Sequence, residues 1–233
     1  AANNYNVVVE DATGCQTTGV TALVDPPIIL IDNVVIIDAL CNGSADGSLD
    51  ITASGGAGGF TYSIDGGATF QAGTLFNGLA ATNYNVQVND MNGCSATSVE
   101  TVNEPLPIQI DNIIVTDVTC NGLSDGAVDI QVSQGTAPYT YSLDNITFQP
   151  GSVFNNLPAG NLSVFVNDVN GCQTTGNTVI TESQPLMVSL PADTTICDGG
   201  TADLCPTIVG GTAPYDYTWN GVFAGNTPCL TTP

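Results

Sequence analysis

Apolar and polar residues alternate with a period of two through most of the chain, and Gly, Asn, Asp and Pro fill the gaps between runs. That is the pattern of strands with one buried face, and no stretch carries a convincing helical period. Within 105–184 it predicts strands at 108–118, 126–133, 138–144, 152–155, 161–168 and 173–182. In the fifth of these Leu162, Val164 and Val166 point one way and Ser163 the other. The same positions recur as Tyr84, Val86 and Val88 around Asn85, and as Tyr5, Val7 and Val9 around Asn6. The D-x-N-G runs at 90–93 and 168–171 are hairpin turns, because Asn-Gly supplies the positive φ that a tight reversal needs. About seven short strands in under 80 residues predict a two-sheet sandwich of immunoglobulin type. Tyr5 and Tyr84 stand where that fold keeps a tyrosine corner, and Leu162 departs from it.

The pattern repeats. Cys15, Cys94 and Cys172, each after a glycine, lie 79 and 78 residues apart, and Cys41, Cys120 and Cys197 lie 79 and 77 apart. A period of about 78 residues means tandem modules stacked head to tail. The chain divides into 1–24, the last two strands (F and G) of a preceding module; 25–104 and 105–184, two complete modules; and 185–233, the first strands (A to E) of a further one. Joining Pro233 to Ala1 regenerates the motif that stands intact at 156–164, so head and tail fit as one continuous chain or as separate subunits that complete each other.

Composition narrows the function. The 233 residues hold no Lys, Arg or His against 22 acidic groups. Schiff-base chemistry, histidine-based catalysis, histidine-ligated zinc and phosphate loops are thereby removed, and the absence of any CxxC leaves other zinc sites little support. Nucleic acid and anionic lipid lose their cationic contact, and trypsin-like proteases have nothing to cut. Disorder does not follow from the charge, since 42% of residues are apolar and only 9% charged. No run is long enough to insert in a membrane, and eight cysteines in a helix-poor chain favour an oxidising, extracellular setting.

Cys205 falls in strand B and Cys229 in strand E of the third module, neighbours in one sheet, so a Cys205–Cys229 disulfide is expected. For the repeating cysteines two schemes stay open. Pairing within modules joins Cys41 to Cys94 and Cys120 to Cys172. In an immunoglobulin topology, however, the A–B and F–G turns lie at opposite ends, more than about 20 Å apart. Pairing across a junction joins Cys41 to Cys172 and would stiffen the array. Acids cluster at Asp46 and Asp50, at Asp125 and Asp129, and at Asp90 and Asp168 beside the F–G turns. They are candidate Ca²⁺ ligands, although Asp-Gly and Asn-Gly also simply make turns, and no catalytic or other cofactor site is expected.

C-N-G-x-x-D-G at 41–47 and 120–126, G-T-A-P-Y-x-Y at 135–141 and 211–217, L-P-A-G at 157–160 and D-x-N-G-C at 90–94 and 168–172 resemble the SprB-type repeats of Bacteroidetes surface adhesins. The third module, with Cys197-Asp198-Gly199-Gly200 and Tyr217-Thr218-Trp219, resembles the related PKD-like domains. The resemblance implies a very large protein exported by the type IX system and displayed as a filament in gliding or adhesion. The expected role is therefore a protease-resistant extracellular stalk, not an enzyme, whose partners are neighbouring modules of the same or an identical chain. The alternatives are a surface-polysaccharide-binding module, using Tyr139, Tyr141, Tyr215, Tyr217 and Trp219, and a donor-strand filament subunit.

Overall fold

Strands account for every regular element among the residues that the computed structural model describes, which are 3–192, 195–220, 222–226 and 228–232. The joint between Pro233 and Ala1 lies outside them. Strands β1 (Asn3–Glu10) and β2 (Gln16–Leu23) form a lone antiparallel hairpin. The next six are β3 (Leu30–Ile37), β4 (Gly47–Ser54), β5 (Thr61–Ser63), β6 (Leu75–Leu79), β7 (Thr82–Asn89) and β8 (Ser95–Val102). They form two sheets, β3-β4-β6 and β5-β7-β8. With the six strands lettered A, B, C, E, F and G in chain order, that is A-B-E against C-F-G, an immunoglobulin-type sandwich.

The second complete module repeats this with β9 (Gln109–Thr116), β10 (Gly126–Ser133), β11 (Thr140–Ser142), β12 (Val153–Leu157), β13 (Gly160–Asn167) and β14 (Gln173–Ile180). Its sheets are β9-β10-β12 and β11-β13-β14. The predicted strand C, 138–144, shortens to three residues. A cis Ala137–Pro138 bond precedes it, and Asp144 closes a turn behind it by accepting from the amides of Ile146 (2.9 Å) and Thr147 (2.8 Å).

The cores follow the alternation. Leu49, Ile51, Val86, Val88 and Val102 are sealed in the first module, and Val128, Ile130, Val164, Val166 and Ile180 in the second. Each such side chain contributes about 1.5–3 kcal/mol by leaving water. The Tyr84 hydroxyl donates to the Ala80 carbonyl at 2.9 Å, giving the first module its tyrosine corner. The second module, with Leu162 there, instead has the Tyr139 hydroxyl donating to the Gln134 carbonyl.

Residues 185–233 build three small pairs from β15 (Met187–Ser189), β16 (Ala202–Leu204), β17 (Thr207–Val209), β18 (Tyr217–Trp219), β19 (Val222–Gly225) and β20 (Leu230–Thr232). The pairs are β15-β17, β16-β20 and β18-β19. Strand B is thus split into β16 and β17 around Cys205, which bonds Cys229 beside β20 with Cα atoms 4.2 Å apart.

Candidate functional site

The acidic residues at the module ends each hold several backbone amides. At the F–G turn Asp168 Oδ1 accepts from the amides of Asn170 (2.9 Å) and Cys172 (3.0 Å). Its Oδ2 reaches across to the B–C loop and accepts from the Thr136 amide at 3.0 Å. Asp90 does the same with Asn92, Cys94 and, through Oδ2, Ala57, all at 2.9 Å. The Ala57 amide, followed by the turn's own amides, holds the Asp90 carboxyl below the usual carboxylate range. One side chain thereby shapes the turn and latches the hairpin to the other sheet's loop.

The opposite end carries a second device. Gly43 N–H and Asn42 Nδ2 donate to the two oxygens of Glu104 at 2.6 and 2.9 Å. In the second module Gly122 N–H donates to Glu182 Oε2 at 2.8 Å, and Asn121 Nδ2 to the Ser183 carbonyl at 3.2 Å. The A–B turn therefore grips the chain just as it leaves strand G. Glu104 and Glu182 lie 61 and 60 residues past Gly43 and Gly122, and that near-equal distance from the C-N-G triplets was the available signal.

The remaining candidate ligands are occupied locally. Asp46 Oδ1 accepts from Ser44 Oγ (2.6 Å) and the Leu40 amide (3.0 Å), contacts that lower its pKa, the serine foremost. Asp125 is lowered in the same way, first by the Thr119 hydroxyl and then by the Thr119 amide. Asp129 accepts from Ser152 Oγ at 2.7 Å, whereas Asp50 Oδ1 is buried without a hydrogen bond. No three acids or cysteines gather as metal ligands among the described residues.

The aromatics form no sugar platform there. Tyr141 is buried, and the Tyr139 and Tyr215 hydroxyls are tied to backbone carbonyls, Tyr215 to Gly210 at 2.7 Å. The Tyr217 and Trp219 side chains are half-buried.

Asp144, missed by sequence reading, recurs as Asp65, 79 residues earlier, in S-x-D. The Thr147 amide, then Ile146 and Ser142, bring Asp144 to about 2. A depressed carboxyl stabilises the fold above its ordinary pKa of about 3.9 and loses that contribution as pH falls through its folded value. Carboxyl-carbon NMR should show Asp144 still ionised at pH 3, and a midpoint near 4 would mean the turn is open in solution.

Cys94 and Cys120 are free, exposed thiols, as are Cys15 and Cys197. Neither within-module pair, Cys41–Cys94 or Cys120–Cys172, therefore exists in the structure. Cys120 instead borders an open hollow of about 450 Å³, together with Asn121, Pro185, Gly211 and Thr212. The A–B turn of 105–184 thus lies beside the B–C loop of the following segment.

The SprB repeat matches residues 33–69 and 112–148, so these two stretches are similar to SprB repeats, consistent with an SprB-type repeat region. No curated protein sequence matches. Among solved structures, Sidekick-1 immunoglobulin domains 1–5 is 13% identical over 90% of this chain and 53% of its own, with a TM-score of 0.34. The N-terminal eight immunoglobulin domains of DSCAM isoform 1.30.30 give 12% identity over 100% and 38%, with a TM-score of 0.38. The chain thus spans about half or less of these two. Superpositions this loose add nothing to what the strand order already establishes.

Proposed function

We propose that this chain, two SprB repeats set in a run of immunoglobulin-like modules, is a length of stiff, protease-resistant stalk in an extracellular surface filament serving adhesion or gliding. The observation that carries it is the glutamate clamp. Glu104 and Glu182 fix the A–B turn to the end of strand G one residue before Pro105 and three before Pro185, where a flexible tether would otherwise begin. Stacked end to end, three modules of about 35–40 Å each reach on the order of 110 Å.

Across the boundary between the complete modules we place the Cys41–Cys172 disulfide. Support comes from Cys94 and Cys120, the within-module partners, both being free. Domain boundaries at 24/25, 104/105 and 184/185 belong to the same proposal. Calcium is not needed in it, because the acids beside the turns already serve backbone amides. The extracellular setting is supported by the SprB match and the Cys205–Cys229 disulfide.

Small-angle scattering of the full chain tests the stalk. The expected result is one extended shape for the wild type and a wider spread of shapes for C41S and for E104A. A wild type as variable as its variants removes the stalk. A non-reducing chymotryptic map is expected to yield a linked Cys41–Cys172 peptide.

A further inference from the structure

On the outward face of the A-B-E sheet one acid stands between two apolar side chains, and the arrangement occurs in both complete modules. Asp50 in β4 lies opposite Val35 of β3 and Leu75 of β6. Its neighbours Leu49 and Ile51 are sealed in the core, so Asp50 points outward. Asp129 in β10 likewise lies opposite Ile114 of β9 and Val153 of β12, between the buried Val128 and Ile130. The flanking side chains are 51% and 49% exposed in the first module and 45% and 47% in the second.

One exposed valine on a strand needs no explanation, because much of any protein surface is apolar. Here the flanking residues differ between the modules, Val35 and Leu75 against Ile114 and Val153, yet the order apolar, acid, apolar is kept. The acids are also poorly served. Both are half-buried, and Asp50 Oδ1 is shut off from solvent without a hydrogen bond. Asp129 Oδ1 has Ser152 Oγ as its donor at 2.7 Å. A carboxylate oxygen stripped of water and short of donors is costly, and a cationic donor relieves that cost. None of these 233 residues is Lys, Arg or His, so neither they nor a second copy of them supplies the cation.

We propose that each of these two faces receives an arginine side chain from a basic segment of a different protein. The aliphatic stem lies across the apolar pair, and the guanidinium donates to Asp50 or to Asp129. Arginine suits the site better than lysine, because its planar, weakly hydrated head covers apolar surface and stays charged where water is excluded. The net charge of −22 draws a basic partner in from a distance, and the apolar flanks fix where it settles. Each complete module carries one such face, so binding capacity grows with the number of modules. None of this depends on the stalk being stiff, and its failure would leave the scattering result untouched.

The test titrates the intact 233-residue chain with a short blocked peptide of alternating arginine and threonine, in about 0.15 M salt, followed by methyl NMR. The methyl groups of Val35, Leu75, Ile114 and Val153 are expected to shift and to report the affinity of each face. D50N together with D129N should weaken binding about tenfold. D198N together with D216N removes the same charge from 185–233 and should weaken it less than about twofold. Serine at the apolar positions (V35S, L75S, I114S and V153S) keeps every charge and should weaken it about threefold or more. Unshifted core methyls of Val86 and Val164 verify that each variant is folded. Three results overturn the inference: no shift at the four methyl-bearing residues, equal weakening by D198N with D216N, or serine variants that bind as the wild type does.

Discussion

Replacing Asp168 by alanine is expected to destabilise its module by about 3 kcal/mol, because one charged acceptor serves amides from two separated loops and hydrogen bonds to charged groups contribute ~1.5–3 kcal/mol each. Asp168 is a buried residue, only 6% exposed, so water does not simply take its place at Thr136. The amides of Asn170 and Cys172 sit in a more open turn and recover part of their loss by hydration. For a domain of this size, 3 kcal/mol lowers Tm by roughly 15 °C. The D168N variant keeps one acceptor oxygen and the shape but loses the charge, and should cost about half as much. Differential scanning calorimetry should resolve the shift, and the first module, with its own Asp90 latch, serves as the internal reference. Equal effects of D168A and D168N would mean that the charge contributes nothing and the latch is a matter of shape.

That latch marks the boundary of what the sequence made legible. Alternation through Leu162, Val164 and Val166 placed strand F and its buried face, because the period of two is a local property of the backbone. Asn170-Gly171 likewise fixed the reversal. The preceding Asp168 read as a turn former or calcium ligand. Its Oδ1 shapes the turn, but its Oδ2 serves Thr136, 32 residues away, and no local spacing encodes that partner. The glutamate clamps were hidden for the same reason: Gly122 and Glu182 are 60 residues apart.

The cysteines show a different limit. Spacing alone allowed two pairing schemes, and an end-to-end distance estimate was the only means of weighing them. It was the free state of Cys94 and Cys120 in the folded modules that removed one scheme. Tyr139 and Tyr141 are two apart and so share one face of the chain, and both pack inward, Tyr141 in the core and Tyr139 against it.

The glycine of the C-N-G-x-x-D-G motif provides the sharpest separation of turn chemistry from packing. Gly126, beside the turn residue Asp125, is the first residue of β10, as the predicted strand at 126–133 has it, and its φ is not positive. A Cβ added there would lie 2.9 Å from the Leu157 carbonyl oxygen, 3.0 Å from Ile180 Cγ2 and 3.3 Å from the Thr116 carbonyl oxygen. Strands A, E and G converge on this one position, and Gly47 is pinched in the same way by Val102, Ile37 and Leu79.

G126A must therefore push backbone as well as a side chain, an overpacking that costs about 1–3 kcal/mol. Valine, with two further carbons, should leave the 105–184 module largely unfolded at 37 °C. Gly122, a true turn glycine with φ +81° and open space around it, should lose only about 1 kcal/mol on conversion to alanine, the cost of its left-handed backbone. Urea denaturation of G122A, G126A and G126V decides between the two roles. If G122A proved the more damaging alanine, Gly126 would be a turn residue after all, and the three-strand pinch would have no part in holding the sandwich closed.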